Sequence, residues 1–247
     1  MIPPLLRRML SPLRPAVYAL RAWIRMRKLR AGLRELKEVT SEEQLDLALI
    51  DRIRTAWGNL AWTGDAGFLR EVAARVWRRP GPVLDCGSGL STVILATVAS
   101  RHGATVWSLE QDRRWYEHME RMLPELGIDN VVLWFTPLRP YGDYLWFDLG
   151  SRELPRHIPT VSCDGPAVKN SAGSPEQVAA WRSGVLPVLR DLGVSFEEIL
   201  LDDAEDPRSA GLIERWQRGG LETDLVATPT GRLIVARRSK PPGRAVS

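Results

Sequence analysis

The stretch Val83-Leu84-Asp85-Cys86-Gly87-Ser88-Gly89-Leu90-Ser91-Thr92 decides the fold. A short apolar run enters two glycines separated by one residue, and a helical pattern opens at once. Gly87 and Gly89 permit backbone angles closed to other residues and let a ligand approach the main chain. The helix behind them offers unpaired N–H groups and the positive end of its dipole to anionic ligand atoms. Such turns lie at the carboxyl edge of a parallel sheet, where open α/β folds bind ligands. Two residues separate this turn from a dinucleotide site. Asp85 would repel a pyrophosphate but suits an ammonium group, directly or through water. Thr92 replaces the third glycine of G-x-G-x-x-G, so both departures argue against a nicotinamide or flavin oxidoreductase. The next apolar run ends in Ser108-Leu109-Glu110, and an acid about 20 residues beyond the glycines suits ribose hydroxyls.

Outward from this turn, strand-like runs at 83–86, 105–109, 131–135, 158–163 and 199–201 alternate with helical stretches at 91–101, 112–124, 175–190 and 207–217. That alternation predicts a parallel sheet covered on both faces. Residues 222–227 and 232–237 flank Thr228-Pro229-Thr230-Gly231 and read as a terminal antiparallel hairpin. Upstream, Ala19, Ala22, Met26, Leu29, Leu33 and Leu36 form one apolar stripe of a helix over 16–37. Ser41 with Gln44 reads as the capping box of a second helix ending at Gly58-Asn59, and Asp65 as the cap of a third over 66–78.

The pair Asp85-Cys86-Gly87-Ser88-Gly89 and Glu110 resembles the two cofactor signatures of the class I S-adenosylmethionine (SAM) dependent methyltransferases. The resemblance covers residues 57–237. It implies a Rossmann-like α/β fold with a mostly parallel seven-stranded sheet and helices on both faces. The implied strand order is 3-2-1-4-5-7-6, with strand 7 antiparallel. The domain reading is a basic helical extension over 1–40 and a methyltransferase domain over 41–247. By the same resemblance, Asp85, Gly87, Ser88, Gly89 and Ser91 meet the methionine end of SAM. Glu110 and Gln111 meet the ribose, and Pro137 and Leu138 the adenine. Trp57 and Asn59 cover the site, with a core role for Trp57 as the alternative.

Further acids stand at two more strand ends, Asp164 after the fourth and Asp202-Asp203 after the fifth. Converging carboxylates repel unless protonated or bridged by a cation, and hard oxygen ligands suit Mg²⁺ or another divalent ion. The pattern resembles the metal-dependent small-molecule O-methyltransferases, which implies a metal on Asp164, Asp202 and Asp203 that acidifies the acceptor oxygen. The alternative makes Asp202 or Asp203 a helix cap and Asp164 a turn residue. Asp164-Gly165-Pro166 lacks the aromatic clamp of base-methylating enzymes of this fold, so the reading favours an oxygen of a small or membrane-associated acceptor over nucleic acid. Asp164 and Lys169 are the candidate catalytic residues, with Asp143 and His157 as further candidate bases.

The chain of 247 residues is 44% hydrophobic with 2 cysteines, enough for a core and too few for a disulfide scaffold or a four-cysteine zinc site. Cys86 and Cys163 are expected to be neighbouring reduced thiols. No apolar run approaches the ~20 residues of a membrane span, and no signal-peptide core is present. The expected location is cytoplasmic. The net charge of +4 hides an asymmetry: residues 1–37 hold eight Arg and two Lys against Glu35 alone. That segment admits packing on the body, contact with an anionic membrane, nucleic-acid binding or helix pairing into a homodimer. A non-catalytic adaptor of the same fold is the second functional reading.

Overall fold

The computed structural model describes residues 14–167, 182, 184–206 and 208–238. Seven strands form the main sheet. These are β1 (Val83–Cys86), β2 (Val106–Glu110), β3 (Val131–Phe135), β6 (His157–Cys163), β7 (Ser195–Leu201), β8 (Leu221–Thr228) and β9 (Gly231–Arg238). Their order is β3-β2-β1-β6-β7-β9-β8. The five strands from β3 to β7 run parallel, whereas β9 is antiparallel to both β7 and β8. This is the expected order, with the terminal hairpin inserted as expected. Every residue of β1 is buried, as a central parallel strand covered on both faces requires.

Helices α1 (Arg14–Glu38), α2 (Leu47–Trp57), α3 (Ala66–Arg78) and α4 (Leu90–Ala99) belong to one hydrophobic cluster, packed with one face of the sheet. Helix α5 (Arg113–Glu125) adds Met119 and Leu123 to that cluster. Helices α6 (Val185–Asp191) and α7 (Arg208–Arg218) pack on the other face, around Trp146, Trp216 and Phe196. Leu29, Leu33 and Leu36 of the α1 stripe are buried, but residues 15–25 are exposed throughout. The stripe therefore packs over its C-terminal half only.

Two local readings change. The second helix is capped by Asp46, whose side chain accepts from the N–H of Leu49, and not by a Ser41–Gln44 box. Residues 42–44 form a short 3₁₀ turn, and Gln44 Oε1 instead accepts from the N–H of Thr40 at 2.7 Å. The segment 137–157, which the strand-like runs leave unassigned, contains a separate hairpin of β4 (Leu138–Tyr141) and β5 (Tyr144–Phe147). Pro140 and the brevity of both strands hide it from a periodicity reading. Of the predicted 175–190 helix, Val185–Asp191 is described; most of the rest, and Lys169, lie outside the described residues.

Candidate active site at the carboxyl edge of the sheet

The ends of β1, β2, β6 and β7 meet at one edge. Gly87 has φ +118, a conformation closed to residues with a side chain. A Cβ there would lie 2.9 Å from the backbone N of Gly165, and one on Gly165 would lie 2.8 Å from the carbonyl oxygen of Cys86. The turns after β1 and β6 are therefore in backbone contact, held by the Gly165 N–H donating to Cys86 O at 2.6 Å. Above Gly89 a Cβ would meet nothing within 4 Å among the described residues.

Asp85 lies under this turn and is fully buried. Its Oδ2 accepts from the hydroxyls of Thr92 at 2.7 Å and Ser91 at 3.0 Å, so Thr92 exchanges a glycine's close packing for a bond that anchors α4 to β1. Burial pushes the Asp85 carboxyl up to about 7, against the hydroxyls of Thr92 and Ser91 that hold it down. Its Oδ1 makes no hydrogen bond among the described residues, nor does the buried Oε1 of Gln111.

Glu110 is not the solvated strand end that its position alone would allow. It is buried, its Oε2 accepts from Ser88 Oγ at 2.6 Å, and its Oε1 accepts from the N–H of Asp112 at 2.7 Å. Burial raises its pKa against those bonds. Trp115 was not singled out in the sequence, yet its indole N–H donates to Ser88 O at 2.9 Å. Trp57 meets the Trp115 ring edge-on at 6.3 Å. The segment before the core thus reaches the glycine turn through two tryptophans in edge-to-face contact, whereas Asn59 is exposed at φ +55. Thr136 bonds to Glu110 O through its N–H at 2.7 Å, which places exposed Pro137 and half-buried Leu138 beside the end of β2.

The metal reading of Asp164, Asp202 and Asp203 is corrected. Arg182, buried among them, fills the space a cation would need. Its guanidinium donates to Asp203 Oδ2 at 2.9 Å, to Asp202 O at 3.1 Å, and to both the carbonyl and Oδ1 of Asp164. Among the described residues no group of three His, Cys, Asp or Glu side chains is arranged to hold a metal ion. Asp202 is pushed up to about 8 by burial and by the neighbouring carboxylates of Asp164 and Asp203. The residues present do not fit a divalent ion. Sequence spacing shows the acids and not the arginine that comes from another segment.

Asp164 stays half-buried, its pKa raised by burial and lowered by Arg182. His157 stands at the start of β6, the opposite edge of the sheet. Asp143 pairs with Arg215 at 2.7 Å in the β4–β5 turn. Neither joins the site. Cys86 and Cys163 are register partners on β1 and β6, both buried and unbridged.

No family model and no curated protein matches the chain. Solved structures do. The N-terminal domain of human METTL16 aligns with a TM-score of 0.53 at 12% identity, over 78% of this chain and 82% of that one. The same human domain in complex with SAH aligns at 0.52 and 13% identity, over 81% and 84%. A human methyltransferase 10 domain containing protein aligns at 0.52 and 12% identity, over 80% and 98%. Together with the strand order, these define the class: the chain has the Rossmann-like fold of class I methyltransferases.

Proposed function

We propose that the protein is a SAM-dependent methyltransferase acting on an oxygen of a small or membrane-associated acceptor. The observation that carries it is the pairing of the Gly87–Gly89 turn with Glu110 through Ser88, at the carboxyl edge of a methyltransferase fold. Among the described residues, the site fits the cofactor: open space above Gly89, buried acceptors without partners on Asp85 and Gln111, and a carboxylate at the end of β2.

When bound, SAM supplies an electrophilic methyl group on a sulfonium. In this reading Glu110 exchanges its Ser88 bond for ribose hydroxyls. Asp85 and the α4 N-terminus receive the amino and carboxylate groups of the methionine end. Pro137 and Leu138 offer apolar surface to the adenine. Trp57 excludes water from above the turn, and with it strengthens each polar contact below. The protein's part is positioning and deprotonation of the acceptor. In this reading Asp164, half-buried at the end of β6, is the group that takes the proton, and burial raises its pKa and so its basicity. The oxygen acceptor is supported by Asp164-Gly165-Pro166, a turn packed on Gly87 that contains no aromatic residue to clamp a base.

Calorimetric titration with S-adenosylhomocysteine tests the reading. Micromolar binding that is lost in Glu110→Ala supports it. No binding to the folded protein overturns it in favour of a non-catalytic adaptor.

A further inference from the structure

The α1 helix touches the body at several points along its length. Near its C-terminus, Lys37 O accepts from Arg101 Nη1 at 2.9 Å, beside the C-terminal end of α4 and away from the site. Further up, the Arg25 guanidinium lies against Gly58, where a Cβ would come within 2.7 Å of Nη1. Gly58 follows Trp57, whose ring meets the Trp115 that holds the glycine turn. The exposed half of α1, residues 15–25, therefore begins beside the Trp57 segment that reaches the glycine turn.

That half has an unusual surface. Val17, Leu20, Trp23 and Ile24 fall on one side at spacings of three and four and are all exposed, Trp23 at 54%. Arg21, Arg25 and Lys28 follow the same spacing on the adjoining side, with Tyr18 exposed at 66% beside them. Arg27 lays its guanidinium over the Trp23 ring at 4.7 Å, keeping its charge at the border of the apolar side. Leu60 and Trp62, exposed in the 3₁₀ turn after Gly58, extend the apolar surface at the same end. No acidic residue occurs before Glu35.

We propose that this projecting half of α1 is a docking element for the anionic face of a lipid bilayer. Aliphatic and aromatic side chains beside arginines suit the headgroup boundary, where apolar groups enter and cations stay with phosphate. A nucleic acid would engage the arginines and leave Val17, Leu20 and Ile24 in water. A second copy would bring two cationic helix halves without acidic residues together. Among the described residues no helix is long and apolar enough to cross a membrane, so the contact is one of lying on the surface. Seated so, the body is held at the bilayer surface, within reach of an acceptor dissolved there. That consequence rests on the methyltransferase reading; the docking itself does not.

The test is co-sedimentation of the full chain with vesicles of phosphatidylcholine alone and of phosphatidylcholine with phosphatidylglycerol. The protein is expected to sediment with the anionic vesicles and not the neutral ones. Arg21→Glu with Lys28→Glu should weaken partitioning at least tenfold, given about fivefold for each basic residue lost. Leu20→Asp with Ile24→Asp should abolish it, while circular dichroism remains unchanged. Absence of binding to anionic vesicles overturns the proposal. So does binding that survives the apolar substitutions, which marks a purely ionic partner such as nucleic acid. A dimer in sedimentation velocity that the apolar substitutions dissolve, without vesicle binding, assigns the face to a second copy and also overturns it. S-adenosylhomocysteine titration of the same proteins separates the two claims. Vesicle binding without ligand binding keeps this one and removes the proposed function; the converse removes this one alone.

Discussion

Ser88 Oγ donates to Glu110 Oε2 at 2.6 Å, which ties the turn after β1 to the end of β2. The carboxylate is thus pre-positioned at the glycine turn, its other oxygen held by the Asp112 N–H. Removing it with Glu110→Ala should raise the S-adenosylhomocysteine dissociation constant by about 10- to 100-fold, the range for hydrogen bonds to a charged group. Ser88→Ala should change it far less, because the Asp112 bond still orients Glu110. Calorimetry on both variants checks this; equal effects would remove Glu110 as the ligand-binding member of the pair.

Asp85 sits under the same turn with its carboxyl pushed up to about 7 by burial. A ligand ammonium brought near it would favour the charged form and lower that value. Binding should therefore release a proton near pH 6, and affinity should rise from about pH 5 toward 7. Calorimetry in two buffers of different ionisation enthalpy reads the proton directly. Asp85→Asn should bind without that release.

Asp202 bears on stability. Its carboxyl lies at about 8 in the folded protein against an ordinary 3.8, so the folded state holds the proton more tightly than the unfolded chain. Stability from this group is full below the ordinary value and is lost as pH rises through about 8. The thermal midpoint of the ligand-free protein should fall between about pH 5 and 8. Asp202→Asn should flatten that slope. A midpoint independent of pH in the parent protein would contradict this placement.

Arg182 donates to Asp203 Oδ2 and to the backbone oxygens of Asp164 and Asp202. A chelator should leave S-adenosylhomocysteine binding and the thermal midpoint unchanged. Arg182→Ala should lower the midpoint, by about 3–5 kcal/mol of stability for a broken buried pair. The same variant, rid of its guanidinium, should gain a stabilising response to Mn²⁺ that the parent lacks. A metal response in the parent would restore the ligand role of these acids.

Glu198 is buried inside the sheet on β7. It pairs with Arg75 at 3.0 Å, Arg79 at 2.7 Å and Arg237 at 3.5 Å. Glu198→Ala leaves these arginines facing one another, and denaturant unfolding should show a loss of about 3–5 kcal/mol. S-adenosylhomocysteine affinity should be unaffected in the folded fraction, because the network lies below the carboxyl edge.

The sequence by itself determined the alternation of strand and helix, the glycine turn and the position of Glu110, while the strand order was implied by the family resemblance these residues carry. Those features rest on local chemistry: apolar runs of strand length, glycines where backbone angles demand them, and helix caps such as Asp65. The alternation of strand and helix then leaves few ways to connect a parallel sheet. The tertiary structure alone decided what surrounds the acids. Arg182 lies 18 residues beyond Asp164 in a segment with no motif, yet it replaces the expected metal. Trp115 reaches Ser88 across 27 residues. Thr230 in the terminal hairpin bonds to Asp65, 165 residues away, and docks the edge of the sheet on α3. Only packing could show that the α1 stripe is buried at Leu29, Leu33 and Leu36 and bare at Ala19 and Ala22. A repeat of three and four residues says which side of a helix is apolar, but the presence of a facing surface depends on where the rest of the chain ends.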